Sequence, residues 1–398
     1  MIFVSLNSIE RINILQPFIP FSRPTVSDVE IEELVDSLKS GWITTGPKVS
    51  EFEKHILEYT GAEFAAATFS CTAALQLACK ALALGPGDEV IMPTYTFTAS
   101  AQVVANCGAT PVFVDVEPSS SFLMDLDEVE AKITPATKAV MPVHYAGNPV
   151  DMDRLYAITK PRGIKVIEDA AHAIGSSYKG KMIGSHGSDA ICFSFYATKN
   201  LSTAEGGMLL SNDADLAKKV KQLSMYGISD SREIWNSRYS KAGSWFYDVE
   251  FIGEKANMTD LSAALGIHQL ARLDESNATR ARYAKIYMDG INVPGVEFLS
   301  VRPDSECCWH LFPLLLPEGV DRDDVISQLK ERNIGTSVLF RPLHLHTAYR
   351  NLLNTKEGDF PRSEALFHRL INLPISPSIS DNDVNYIVEN VNDLLCPK

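Results

Sequence analysis

The sequence predicts an α/β fold with a mostly parallel central sheet, followed by a smaller α+β unit. Three observations carry this reading. Short apolar runs bounded by Gly, Pro or Asp recur through the first two-thirds of the chain. Helical patterns fall between them, and strands that alternate with helices form parallel sheets covered on both faces. From about residue 260 the pattern changes to a long helical stretch and then to mixed elements.

The elements follow in order. Ser27 to Ser40 reads as an amphipathic helix with Ile31, Leu34, Val35 and Leu38 on one face. Ser27 and Glu30 have capping-box spacing at its start. Lys48 to Tyr59 reads as a second helix, and the Ala- and Leu-rich stretch Thr72 to Leu82 as a third. The predicted strands are Glu89–Met92, Pro111–Val114, Ala139–Val143, Lys165–Ile167 and Ala190–Phe193, with a helix at Asp151–Thr159. Glu205-Gly206-Gly207 then looks like a turn into another strand. Asp260 to Tyr287 is predicted as one long helix bridging to a second domain, which carries strands near Trp309–Leu316 and Gly335–Phe340. The division is therefore a large domain over residues 1–262, N-terminal arm included, and a small one over 263–398.

Composition narrows the function classes. The chain has 398 residues, 45% hydrophobic and 22% charged, an ordinary globular balance with room for two domains. A net charge of −14 argues against a general nucleic-acid or membrane-surface binder. It leaves room for an anionic small ligand held by local donors. The seven cysteines are odd in number and contain no C-x-x-C pair, which predicts free thiols in a reducing cytoplasm. Ile2-Phe3-Val4-Ser5-Leu6 is too short for a secretory core, and no run approaches a membrane span.

Lys199 is the most informative residue. It follows the apolar run Ala190–Phe193 and the segment Ser194-Phe195-Tyr196, and Asp169 ends another such run 30 residues upstream. Chemistry in parallel sheets gathers at the carboxyl ends of strands. An acid and a lysine converging there suit pyridoxal phosphate, which needs an amine for its aldehyde and a carboxylate for its ring nitrogen. The plain alternatives are a solvated lysine and a helix-capping acid, but both residues follow apolar runs that disfavour unpaired charge.

Other segments carry weaker signals. Ser70-Cys71-Thr72 opens a helix and could receive a phosphate or serve only as an N-cap. His172 could be structural or could face a ligand, with equal weight. Tyr95 or Phe97 could stack on a flat heterocycle or pack in the core. Glu205 to Gly207 could shape a substrate pocket or form a simple turn. His344-Leu345-His346 lacks an accompanying Cys or acid cluster, so the sequence predicts no metal. Neither G-x-G-x-x-G nor a P-loop occurs, which argues against a nicotinamide-dependent sugar epimerase or dehydratase.

Together these segments resemble the DegT/StrS-type sugar aminotransferases, pyridoxal-phosphate enzymes of fold type I, the aspartate aminotransferase-like fold. The likeness runs from Pro20-Phe21-Ser22-Arg23-Pro24 to Leu373-Pro374. It rests on Ser40-Gly41-Trp42-Ile43-Thr44-Thr45-Gly46-Pro47, Gly85-Pro86-Gly87-Asp88-Glu89-Val90-Ile91, Pro142-Val143-His144-Tyr145-Ala146-Gly147, Ile167-Glu168-Asp169-Ala170-Ala171-His172 and Ser194-Phe195-Tyr196-Ala197-Thr198-Lys199-Asn200, in family order. Within the family the chain is most similar to the UDP-4-amino-4-deoxy-L-arabinose and spore-coat polysaccharide aminotransferases.

The resemblance implies roles position by position. Lys199 matches the Schiff-base lysine and Asp169 the partner of the pyridine nitrogen. Thr72, Ala73 and Ser194 match phosphate-binding positions, and His172 a cofactor-contacting one. Phe97 falls where the family stacks an aromatic on the ring, Trp in the arabinose enzymes. Asn257 matches a residue that reaches the phosphate from the other subunit, which implies a homodimer with shared active sites. A branch with His in place of the lysine dehydrates sugars, and Lys199 argues against that branch. The implied reaction moves an amino group from L-glutamate to the keto group, at C4, of a UDP- or dTDP-linked sugar. A 3-keto substrate, or a cofactor-binding regulator without turnover, are the alternatives.

Overall fold

The computed structural model describes residues 17–229 and 247–396. The reading of Ile2–Leu6 lies outside these residues. Seven strands form the central sheet: β1 (Phe64–Thr68), β2 (Glu89–Pro93), β3 (Thr110–Val114), β4 (Thr137–Val140), β5 (Lys165–Asp169), β8 (Ala190–Ser194) and β9 (Gly207–Ser211), with the short β6 (Ser177–Tyr178) and β7 (Lys181–Met182) between. The order is β1-β9-β8-β5-β4-β2-β3. Pairing is parallel from β3 through β8 and antiparallel at β8–β9 and β9–β1.

Alternate residues of each strand enter different cores. Ile91, Val166, Ile191, Phe193, Met208 and Leu210 belong to one cluster, which includes Val49, Phe52 and Ile56 of a helix over Pro47–Thr60. Val90, Met92, Ile167, Cys192 and Leu209 belong to the other, with Leu75, Leu77, Val103 and Val104. Burial on both faces is why these strands read as continuous apolar runs rather than alternating ones. The parallel strands end on one edge, and β5 and β8 are adjacent there, with Asp169 opposite Cys192.

A second, antiparallel sheet joins β10 (Glu297–Phe298), β12 (Phe312–Leu315) and β13 (Leu370–Leu373). It shares a core with the helices Leu273–Gly290 and Asp381–Leu395. β11 (Ser305–Glu306) pairs instead with β6 and so ties this part of the chain to the first.

Four expectations differ from the structure. The long helix is broken into Asp260–Ala271 and Leu273–Gly290. Arg272 between them has φ −111°, and its guanidinium bonds to Thr25 and Glu30. The predicted strand at Trp309 starts later, at Phe312, because Trp309 sits at φ +50°. Gly335–Phe340 forms no strand and makes an isolated bridge from Ser337 to Asn372. In the first helix (Asp28–Ser40), Glu30 and Ser37 are buried while Ile31 and Leu38 are 50% and 55% exposed. Arg272 and Gln269 pull the Glu30 carboxylate inward, which turns the apolar stripe to the surface. The capping box itself is present.

Candidate active site

A cavity of about 320 Å³ opens at the carboxyl edge of β5 and β8. Thr72, Phe97, Asp169, His172, Ser194 and Lys199 all line it. Ala73 and Asn257, also singled out in the sequence, are not among its lining residues.

Three elements bring these groups together. A helix over Cys71–Ala81 points its N-terminus at the cavity, capped by Ser70, whose Oγ accepts the Ala73 N–H at 3.1 Å. The Ala73 N–H is thus committed to the cap, while Thr72 remains exposed. Gly207 permits close approach here. A Cβ on it would lie 2.3 Å from the Ser70 carbonyl carbon and 2.4 Å from Cys71 N.

Asp169, at the end of β5, is 5% exposed. Its Oδ2 accepts from the Ser100 hydroxyl at 2.7 Å and its Oδ1 from the Ala171 N–H at 3.2 Å. Burial pushes its pKa up, and those two donors pull it back. Lys199 follows β8, where its N–H donates to Tyr196 O at 2.9 Å. Burial lowers its amine from 10.5 to about 8, and the nearby Asp169 carboxyl opposes that shift. An amine so placed is a competent nucleophile near neutrality.

Aromatic rings close the other side. Phe97 is 53% exposed at the cavity wall, its ring 5.5 Å from that of Phe340. His172 stacks on Phe340 at 5.9 Å and accepts the Ala146 N–H on Nδ1 at 3.2 Å. Burial pushes its pKa well below the usual imidazole value. His310 also lines the cavity, with Nε2 at 3.4 Å from Lys199 Nζ. Sequence reading missed it, because it lies 111 residues from Lys199 in what looks like an ordinary strand.

The remaining candidates sit elsewhere. Tyr95 is fully buried among Phe122 and Tyr145, in the core role. His344 bonds to the Thr94 hydroxyl and to Glu364, and His346 to the Arg341 carbonyl, so the two histidines do not share a ligand. Among the described residues no group of three metal-ligating side chains occurs. All seven cysteines are free. Asn257 pairs with Thr68 in an isolated bridge and donates to Thr45 Oγ1 at 2.5 Å.

The donor set fits pyridoxal phosphate. A buried carboxylate, a neutralisable amine, an exposed aromatic and a helix N-terminus surround a volume within the range of cofactor sites.

The sequence pattern of the DegT/DnrJ/EryC1/StrS aminotransferase family matches residues 24–392. The chain is 47% identical over 383 residues to the spore coat polysaccharide biosynthesis protein SpsC of Bacillus subtilis, covering 95% of this chain and 97% of that one. It is 44% identical over 386 residues to the uncharacterized protein MJ1066 of Methanocaldococcus jannaschii, with 96% and 99% covered. The putative sugar aminotransferase Spr1654 from Streptococcus pneumoniae, solved in a PLP form, superposes with a TM-score of 0.88 at 36% identity, covering 95% and 98% of the two chains. A PMP form of that protein superposes equally well. The chain belongs to the DegT/DnrJ/EryC1/StrS aminotransferase family and is a pyridoxal-phosphate-dependent aminotransferase.

Proposed function

We propose that this protein moves an amino group from L-glutamate to the C4 keto group of a nucleotide-linked sugar, UDP or dTDP, in the cytoplasm. The product would enter polysaccharide biosynthesis. One observation carries the catalytic half of this reading: the Lys199 amine and the Asp169 carboxylate line the same cavity beside a helix N-terminus. The named sugar aminotransferase and spore-coat relatives support the sugar half. No helix among the described residues is long and apolar enough to cross a membrane.

Bound pyridoxal phosphate supplies an aldehyde that accepts amines and a ring that takes up carbanion charge. The chain's own residues do the rest. Asp169, held by Ser100, faces the cavity as a carboxylate and favours a protonated ring nitrogen. The first turn of the helix after Ser70, with Thr72 and Ser194, would receive the phosphate. Phe97 and His172, on the cavity wall, would hold the ring. Lys199 holds the cofactor at rest and moves a proton as base and then acid once released. Its pKa of about 8 suits both duties near neutral pH. Glu205 and Gly206, at the cavity wall, contribute to the sugar side.

The active unit is proposed to be a homodimer with Asn257 reaching the partner's site. Two features support this: Asn257 lies outside its own subunit's cavity lining, and the first helix leaves Val29, Ile31 and Leu38 exposed. The test is a screen of UDP-, dTDP- and GDP-linked keto sugars with glutamate, read by 2-oxoglutarate release. Release with a 4-keto substrate supports the proposal. Release with only a 3-keto sugar overturns the regiochemistry, and release with none overturns the sugar reading.

A further inference from the structure

Lys199 Nζ is 3.4 Å from His310 Nε2, and the hydrogen-bond network behind His310 determines which tautomer faces the amine. The network starts at Asn200, which is 7% exposed. Its Nδ2 lies 2.8 Å from the Cys308 carbonyl oxygen, which can only accept. The same Nδ2 donates to Asn277 Oδ1 at 2.8 Å, and Asn277 Nδ2 donates onward to Ile174 O at 3.3 Å. Each amide therefore has one workable orientation. Asn200 Oδ1 is left to face His310 Nδ1 at 3.1 Å. An amide oxygen is an acceptor, so Nδ1 carries the hydrogen. In the neutral ring Nε2 is then bare, with its lone pair toward Lys199.

The surroundings keep the ring neutral. The titratable and charged groups around His310 are Lys199, His172, Arg280 and the Cys308 thiol. The His172 ring is 4.4 Å away, and the Arg280 guanidinium reaches the His310 carbonyl. Among the described residues no carboxylate stands with them to support an imidazolium. Burial pushes His310 well below the ordinary imidazole value of 6.5, while Lys199 stands at about 8. A proton passing from Nζ to Nε2 would therefore move uphill. His310 is thus an acceptor and a poor proton store.

We propose that His310 is a positioning residue for the Lys199 amine: its bare Nε2, presented by the Asn200 lock, accepts a hydrogen bond from Nζ and holds that nitrogen in the cavity once it is free of the cofactor. The proposal rests on the reading of Lys199 as the cofactor-bearing, proton-moving amine. A lysine on four methylenes samples many positions, and a fixed acceptor reduces that freedom before each proton transfer. Because the acceptor favours the ammonium form, it also keeps the amine from being depressed further by burial.

The experiment is competitive labelling of the full chain, freed of cofactor, with acetic anhydride across pH. The Lys199 peptide is read by mass spectrometry and folding is checked by circular dichroism. His310→Gln places an amide oxygen near the Nε2 position. His310→Asn keeps a donor near Nδ1 but withdraws the acceptor, and His310→Phe keeps only the ring. The labelling midpoint of Lys199 is expected to fall by about one pH unit in the Asn and Phe variants and to stay at the parent value in Gln. In the reconstituted enzyme, kcat falls in Asn with the donor KM unchanged, and Gln restores it. An unmoved midpoint in Asn and Phe overturns the proposal, as does an equal shift in all three. A rise in sugar KM alone would make His310 a substrate contact instead and would overturn it too. Labelling needs neither cofactor nor sugar, so its failure is distinguishable from failure of the aminotransferase reading.

Discussion

The Ser100 hydroxyl donates to Asp169 Oδ2 at 2.7 Å and offsets the burial of that carboxylate. It stabilises the charged form, so its loss raises the pKa of Asp169. Ser100→Ala is expected to move the acidic limb of the kcat/KM profile upward by about one pH unit, from the roughly 1.5–3 kcal/mol of a hydrogen bond to a charged group, discounted for water entering the gap. A limb that stays in place would remove Ser100 from this role.

Asp169→Asn retains shape and removes charge. Turnover is expected to fall by roughly 10²–10³-fold, the usual loss when a preorganised electrostatic group is deleted. The visible absorbance of the purified variant checks that cofactor is still bound. Near-parental kcat would show that ring protonation does not depend on this carboxylate.

Lys199 makes stability depend on pH in the cofactor-free chain. Folding lowers its pKa from 10.5 to about 8, so between those values the unfolded chain holds more protons and stability rises with pH. Below about 8 the buried charge is fully destabilising, by about 1–3 kcal/mol once partial solvent access is allowed for. Lys199→Met is expected to exceed the parent by that amount in urea unfolding at pH 7, with the gap closing towards pH 10.5. A gap independent of pH would mean packing, not charge. The same variant is expected to show no turnover.

Gly207→Ala tests the phosphate end. The added Cβ would meet the Ser70 and Cys71 backbone at 2.3–2.4 Å, and backbone cannot yield as a flexible side chain can. Displacing that helix N-terminus is expected to weaken pyridoxal phosphate binding by tenfold or more, about 1.4 kcal/mol. Titration of cofactor into the apoprotein measures it, and unchanged affinity would exclude the helix as the phosphate site.

The shared site is tested by mixing subunits. Lys199→Ala and Asn257→Asp chains are each expected to be inactive and, after co-refolding, to regain roughly a quarter of parental activity, because in the proposed dimer a mixed pair contains one intact site. No recovery would place Asn257 in its own subunit's site. Val35→Glu with Leu38→Glu is expected to yield monomers on gel filtration, since both residues lie on the exposed apolar face of the first helix.

Much of the site was legible because it depends on local pattern. Asp169 ends one buried strand and Lys199 follows another, and neighbouring parallel strands necessarily end on one edge. The failures share a cause in distant contacts. Ile31, Val35 and Leu38 have helical periodicity, but periodicity does not say which face is covered; Arg272 and Gln269 decide that by capturing Glu30. Gly335–Phe340 looks like a strand by composition yet meets Asn372 only at Ser337.

Sequence order alone specifies the parallel sheet, the acid and amine at its edge, and the family, since each is written in contiguous residues. Tertiary structure decided the rest: that Ser100 restrains Asp169, and that His310 turns a bare nitrogen toward Lys199. Hydrogen bonds between residues 69 to 111 positions apart exist only after both parts of the chain have packed. Periodicity carries burial, but it carries no record of which distant partner fills the remaining valence of a buried polar atom.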